Sequence, residues 1–171
     1  MANDSWETPP LLFKRLEEHF GKFDVDLAAS DSNHLCDDYY TIEDSALDKY
    51  WNEKRGYLNC PYSNINPWVK KAIQTAEDSV WDRDCYDTDV IMLLPQTFGT
   101  KIWHEWVFPN HDCVNAIYLI KGRIKFTIDG VPQGTPRFDS CVVHFNYSNS
   151  RRGIKFYTCD REFKNIMSIS D

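Results

Sequence analysis

Apolar positions along the chain follow two periods, and the two alternate. Leu11, Leu12, Leu16 and Phe20 recur at helical spacing. Thr8 is placed to cap that helix, Pro9 to open it and Gly21 to end it. "KFDVDLAAS" at 22–30 switches to alternation and then turns small and polar, which predicts a strand running into a loop. The segment 31–55 is irregular and acidic, with a short helix around "SALDKYW". "GYLNC" at 56–60 predicts a buried strand end. A second helix follows, with Asn66 as cap, Pro67 at its first position and Trp68, Val69, Ala72, Ile73 and Ala76 on one face. "DVIMLLP" at 89–95 is the clearest buried strand. "KIWHEWVF" at 101–108 has a helical period, "VNAIYLI" at 114–120 predicts a strand, and "RIKFTI" and "CVVHFNY" predict two more. Strands alternating with helices imply an α/β sheet with a parallel core, and ligands of such sheets gather at the carboxyl ends of the strands. Nothing resembles an internal repeat or a linker, so residues 1–171 are expected to form one domain with no separate target-recognition domain.

Composition narrows the class. The chain has 171 residues, 42% hydrophobic and 26% charged, which suits a folded domain and excludes disorder. No stretch approaches membrane-span length, and "MANDSWETPP" lacks the basic and apolar parts of a secretory signal, so the expected compartment is the cytoplasm. The six cysteines (36, 60, 85, 113, 141 and 159) contain no C-x-x-C pair and predict reduced thiols without metal. The net charge of -7 argues against a broadly basic nucleic-acid binder. It leaves room for a local basic face, for which Lys121, Arg123 and Lys125 in "KGRIKF" and Arg151 and Arg152 in "SRRGIK" are the candidates. Lys121, Arg123 and Lys125 read as alternating on one strand, with a solvated face and a phosphate contact about equally weighted.

The tetrapeptide N-C-P-Y at 59–62 sits where the topology places a ligand. On local grounds it is a turn, because Asn and Pro are common turn formers. It also has the parts needed to methylate an amine on a base. An exocyclic amine is a poor nucleophile because its lone pair is delocalised into the ring. Two acceptors on its hydrogens, the Asn59 side-chain carbonyl and the Cys60 backbone carbonyl, would draw it toward tetrahedral geometry. Pro61 would stiffen the turn, and Tyr62 would offer the base a stacking face.

"LNCPYS" resembles the N-P-P-Y signature of amino-methyltransferases that use S-adenosylmethionine. The wider chain is similar to the small phage-type DNA adenine (N-6) methyltransferases of the Dam type. The resemblance runs in order through "WETPPLLFKRL", "FGKFDVDLAASDSN", "LCDDYY", "EDSAL", "LNCPYSNINPWVKKA", "LLPQTFGTKIWHEWV", "IKGRIKF" and "FDSCVVHF". It implies a Rossmann-like methyltransferase sandwich, a mostly parallel seven-stranded sheet with one antiparallel strand. It also implies S-adenosyl-L-methionine as cofactor and DNA as partner, in the host cytoplasm if the chain is phage-encoded, and it leaves a homodimer open. By the same resemblance Glu7, Thr8 and Pro9 belong to a cofactor motif, Asp26, Leu27, Ala28, Ala29 and Ser30 to a cofactor loop, and Asp44 lies near the cofactor's adenine. Asn59, Cys60, Pro61 and Tyr62 then form the catalytic turn.

The chain departs from the pattern at Cys60, where the family has Pro, and at Thr97 and Gly99, where this branch usually has Arg and Asp. Three functions stay open on the sequence. The first is methylation of adenine N-6 in DNA. The second is methylation of another amine, such as cytosine N-4, RNA or a protein glutamine. The third is a catalytically decayed fold acting as an acidic binding or decoy protein.

Overall fold

The structure, a computed structural model, describes residues 4–51, 55–81, 88–147 and 153–169. Its main sheet has eight strands: β1 Val25–Asp26, β2 Asp38–Tyr39, β3 Arg55–Leu58, β4 Asp89–Pro95, β5 Val114–Lys121, β8 Ser140–Phe145, β9 Lys155–Asp160 and β10 Met167–Ser168. A separate hairpin pairs β6 Thr127–Ile128 with β7 Val131–Pro132. The order across the sheet is β10-β9-β5-β8-β4-β3-β1-β2. β2, β1, β3 and β4 run parallel, and β8 lies antiparallel between β4 and β5. β9 runs parallel to β5, and β10 closes the edge antiparallel to β9. The expected mostly parallel α/β sheet is therefore present. It carries one strand more than the seven expected, and both β8 and the short β10 run against the rest.

Helices cover both faces. Helix α1 Pro10–Phe20 buries Leu12, Phe13 and Leu16 on one face, against Tyr57, Ile91 and Leu93. Helix α2 Asn66–Trp81 lies on the other face with Val69, Ala72 and Ile73 against Leu58, Met92 and Leu94. A π-helical turn at Trp103–Val107 packs beside α2. Alternation along β4 explains the division, since Ile91 and Leu93 point one way and Val90, Met92 and Leu94 the other.

Two glycines are required by their surroundings. Gly21 ends α1 at φ 93°, where its N–H reaches the Glu17 carbonyl at 2.8 Å, and a Cβ there would stand 2.5 Å from the Arg55 guanidinium. A Cβ on Gly56 would meet Leu27 Cδ1 at 2.8 Å.

The start of α1 differs from the expectation. Pro9, not Thr8, is the capping residue, and no side chain caps the helix. Two consecutive prolines lack N–H groups, so less is left to cap. The Thr8 hydroxyl instead bonds the buried Tyr57 hydroxyl at 2.6 Å.

Candidate functional site

The parallel strands β1, β2, β3 and β4 share one carboxyl edge, and the loops that leave it enclose a cleft of about 700 Å³. That volume falls in the range of small-molecule and cofactor sites. One wall is the segment Asp4–Thr8 ahead of α1. The floor is Asp26 at the end of β1 with Ala28, Ala29, Ser30 and Asn33 of the following loop. Thr41, Ile42 and Ser45 come from the connection after β2, and Asn59, Pro61 and Ser63 from the turn after β3. Trp68 of α2 and Ile128 and Asp129 of the β6–β7 hairpin complete it.

Asp26 is 3% exposed and organises its loop. Its carboxylate accepts the N–H of Ala28 at 3.3 Å and of Leu35 at 3.2 Å, so residues 27–35 wrap around it. The loop closes on itself through the Ser30 N–H to Asn33 Oδ1 at 2.7 Å and a His34–Tyr39 stack at 4.2 Å. Burial raises the Asp26 pKa to about 6, against the lowering effect of those two N–H groups and of His34. Asp4, Glu7, Asp26 and Asp129 give the cleft four carboxylates, and among the described residues no Lys, Arg or His lines it.

The turn after β3 is held from outside. The Asn59 amide Nδ2 donates to the Trp6 carbonyl at 3.2 Å, which leaves Oδ1 as the acceptor. Cys60 is 3% exposed, and burial pushes its thiol well above the ordinary range. The thiol therefore stays protonated, which lowers its reactivity. Pro61, at φ -55°, leads into a 3₁₀ turn over Tyr62–Asn64. The Tyr62 ring meets Phe126 edge-on at 6.3 Å. Its hydroxyl is buried beside Ser140 without a well-formed hydrogen bond, and burial raises it far above its usual pKa. Asp4 takes both the N–H of Ser63, at 3.0 Å, and its hydroxyl.

The expected site residues divide into groups. Glu7, Thr8, Asp26, Ala28, Ala29, Ser30, Asn59 and Pro61 line the cleft together. Cys60 and Tyr62 face a smaller cavity behind Asn59. Pro9 caps α1, and Leu27 is 1% exposed in the core. Asp44 is exposed and paired with Lys49, beside the cleft residue Ser45 but not in the wall.

Lys121, Arg123 and Lys125 do not share a strand. Lys121 ends β5, Gly122 turns the chain at φ 86°, and 123–126 runs extended without a partner strand. All three are exposed while Ile124 and Phe126 are buried, so the alternation is real although the ladder is absent. Arg123 lies 3.6 Å from Asp139. Arg151 and Arg152 lie outside the described residues. Lys155 opens β9 at the amino edge of the sheet, the end away from the turn.

Thr97 accepts the Trp103 indole N–H at 3.4 Å, and no atom lies within 4 Å of a Cβ built on Gly99. Sequence reading missed Trp6, Tyr57, Ile128 and Asp129 as wall residues, and Trp68, placed on the packed face of α2, also reaches the wall. The Asp129-Gly130 pair, a strong hairpin signal, could have marked the hairpin. Among the described residues no helix is long and apolar enough to cross a membrane, and no three His, Cys, Asp or Glu side chains converge as a metal site.

The profile of the family described as "DNA N-6-adenine-methyltransferase (Dam)" matches residues 1–161. A DNA N-6-adenine-methyltransferase of Escherichia phage T1 is 38% identical over 130 residues, 75% of this chain and 50% of that protein. One of Haemophilus phage HP1 is 31% identical over 124 residues, 72% of this chain and 66% of that protein. The chain thus spans between half and two thirds of these relatives. Among solved structures, a type I restriction-modification methyltransferase subunit from Streptococcus thermophilus aligns with a TM-score of 0.48 and 12% identity over 94% of this chain and 48% of that one. The profile match covers nearly the whole sequence, and the chain belongs to the Dam family of DNA N-6-adenine-methyltransferases.

Proposed function

We propose that the chain transfers a methyl group from S-adenosylmethionine to the exocyclic N-6 amine of adenine in DNA. The observation that carries this reading is Asn59. Its N–H side is taken by the Trp6 carbonyl, so its oxygen is presented as an acceptor at the carboxyl end of β3, on the rim of the cleft. An adenine amine donating to Asn59 Oδ1 and to the Cys60 carbonyl would have its lone pair freed to attack a methyl whose bond to a sulfonium leaving group breaks as the N–C bond forms, the sulfur leaving as a neutral thioether and the amine proton being lost afterwards. No side chain with a matched pKa is required as general base.

The cleft fits the cofactor by charge and by shape. S-adenosylmethionine carries a sulfonium and an ammonium group, and four carboxylates with no opposing cation among the described lining residues favour such a ligand. Asp26 and Glu7 would face the cationic end and the 28–30 backbone the carboxylate, while Ile42, Leu35 and Trp68 supply apolar surface for the adenosine. Bound there, the cofactor supplies an electrophilic methyl. The chain's own part is to orient the amine and keep water from the reacting atoms.

The same carboxylates would repel a phosphate backbone, so the DNA is held elsewhere. Lys121, Arg123 and Lys125 are exposed and follow the carboxyl end of β5, with Arg123 beside Asp139. Changing all three to Gln should weaken DNA binding and reduce the slope of log affinity against log salt by about 2–3, since each neutralised phosphate contributes close to one unit. Fluorescence anisotropy across a salt series measures this. An unchanged slope would place the three on a solvated face.

Transfer of labelled methyl from S-adenosylmethionine to DNA, RNA and protein, followed by digestion and nucleoside chromatography, tests the function. The expected product is N-6-methyladenine from DNA alone. Label on cytosine, RNA or glutamine would move the substrate, and no label anywhere would favour the decayed fold.

A further inference from the structure

The turn residues that must meet the base (Asn59, Cys60 and Tyr62) share a cavity of about 10 Å³ with Asp4, Trp6 and Phe126. That is room for one water and far short of a purine. What closes it is the segment ahead of α1. The Trp6 indole stacks on Phe126 at 5.3 Å and 16°, and its carbonyl holds the Asn59 amide. Asp4 bonds Ser63 just beyond the turn, through exposed groups. From Glu7 onward the chain is firmly anchored. Glu7 exchanges two backbone bonds with Thr127, at 2.8 and 3.0 Å, and Thr8 bonds Tyr57 in the core.

We propose that Trp6 and Phe126 complete the target-base pocket opposite Tyr62, and that Asp4–Trp6 is a gate on it, hinged at Glu7 and latched by Asp4 on Ser63. This rests on the function proposed above. A base drawn out of a duplex arrives as a flat ring with two apolar faces and needs stacking surfaces. The Trp6 indole, and the buried Phe126 face that it covers until it moves, offer them beside the acceptor on Asn59, with Phe126 edge-on to Tyr62. In the closed form the indole fills the space the base needs, so the segment swings out before the base enters and returns over it.

Two experiments on the full chain test the gate. In the pair Asp4→Cys with Ser63→Cys, oxidation should lock the segment shut. Methyl transfer to DNA should be lost in the oxidised protein and return with a thiol reductant, while the double variant's S-adenosylmethionine affinity, lowered from the parent's by the loss of the Asp4 carboxylate, is equal in the two states by calorimetry. Equal transfer in both, with the disulfide confirmed by mass, would overturn the gate. Ser63→Ala removes the hydroxyl half of the latch without changing charge and leaves the Ser63 N–H on Asp4. With DNA carrying 2-aminopurine in place of adenine, the stopped-flow fluorescence rise should be about fivefold faster than in the parent, the effect of losing one exposed hydrogen bond. A rise at the parent rate would overturn the latch even where the disulfide fails to form. If the parent protein methylates no nucleic acid, the function itself falls and the base pocket with it. If the parent methylates DNA and both tests are flat, only the gate falls.

Discussion

Asn59→Ala should reduce methyl transfer at least about a hundredfold, the scale on which one preorganised polar group acts in a water-excluded site. Affinity for S-adenosylmethionine should change little. In the proposed role the amide oxygen acts on the target amine, and the cleft of the variant keeps its carboxylates, the Asp26 loop and Trp68. Asn59→Asp keeps an acceptor but removes the donor that holds the Trp6 carbonyl. It should fall between parent and alanine, with the larger part of its loss in turnover. Single-turnover transfer beside calorimetry separates the two effects. Transfer by Asn59→Ala at the parent rate would reduce N-C-P-Y to a turn and remove the centre of the functional reading. Cys60→Pro is the useful companion. The Cys60 side chain is buried with a protonated thiol, so its part in the chemistry is its carbonyl, which proline retains. Activity should persist.

What could be read from the sequence depended on whether a signal was local. β4 matches the predicted 89–95 run because a central strand buried on both faces is apolar throughout. β1 is only two residues long because the chain leaves the sheet at once to wrap Asp26, and that requirement lies in backbone N–H groups up to nine residues away. β2 is two residues in an acidic stretch, and its pairing with β1 supplies what its own pattern lacks. "RIKFTI" misled because an extended segment lying on a core alternates as a strand does. Ile124 and Phe126 go in and Arg123 and Lys125 stay out, although only Thr127 and Ile128 pair. The candidate turn N-C-P-Y was legible as four contiguous residues with one chemical logic. Its surroundings were not. Trp6 and Phe126 meet across 120 positions, as do Glu7 and Thr127, and no spacing rule announces either pairing.

Asp26 carries a conflict between folding and binding that pH should expose. Its pKa is about 6 in the folded chain and 3.8 when freely solvated. Between roughly pH 4 and 6 the folded state holds a proton that the unfolded state has released, so stability falls as pH rises through that window. Above it the full penalty applies, about 3 kcal/mol for a shift of this size. Asp26→Asn removes the charge and keeps one of the two accepting positions for Ala28 and Leu35, so above pH 7 it should stabilise the fold by about 1 kcal/mol. Binding should move the other way. The ionised carboxylate is the form that attracts a cationic ligand, and it disappears as pH drops below about 6. Cofactor affinity of the parent should therefore fall about tenfold from pH 7 to pH 5, the loss expected when a group of this pKa must be ionised. In Asp26→Asn the affinity should be weak at both pH values, with the Asp26 contribution to the slope removed. Thermal melts and calorimetry on the two proteins at pH 5 and pH 7.5 measure both effects. Equal pH slopes in parent and variant would show that Asp26 only shapes its loop. A variant that is both less stable and a weaker binder would mean that the two N–H bonds outweigh the cost of burying the charge.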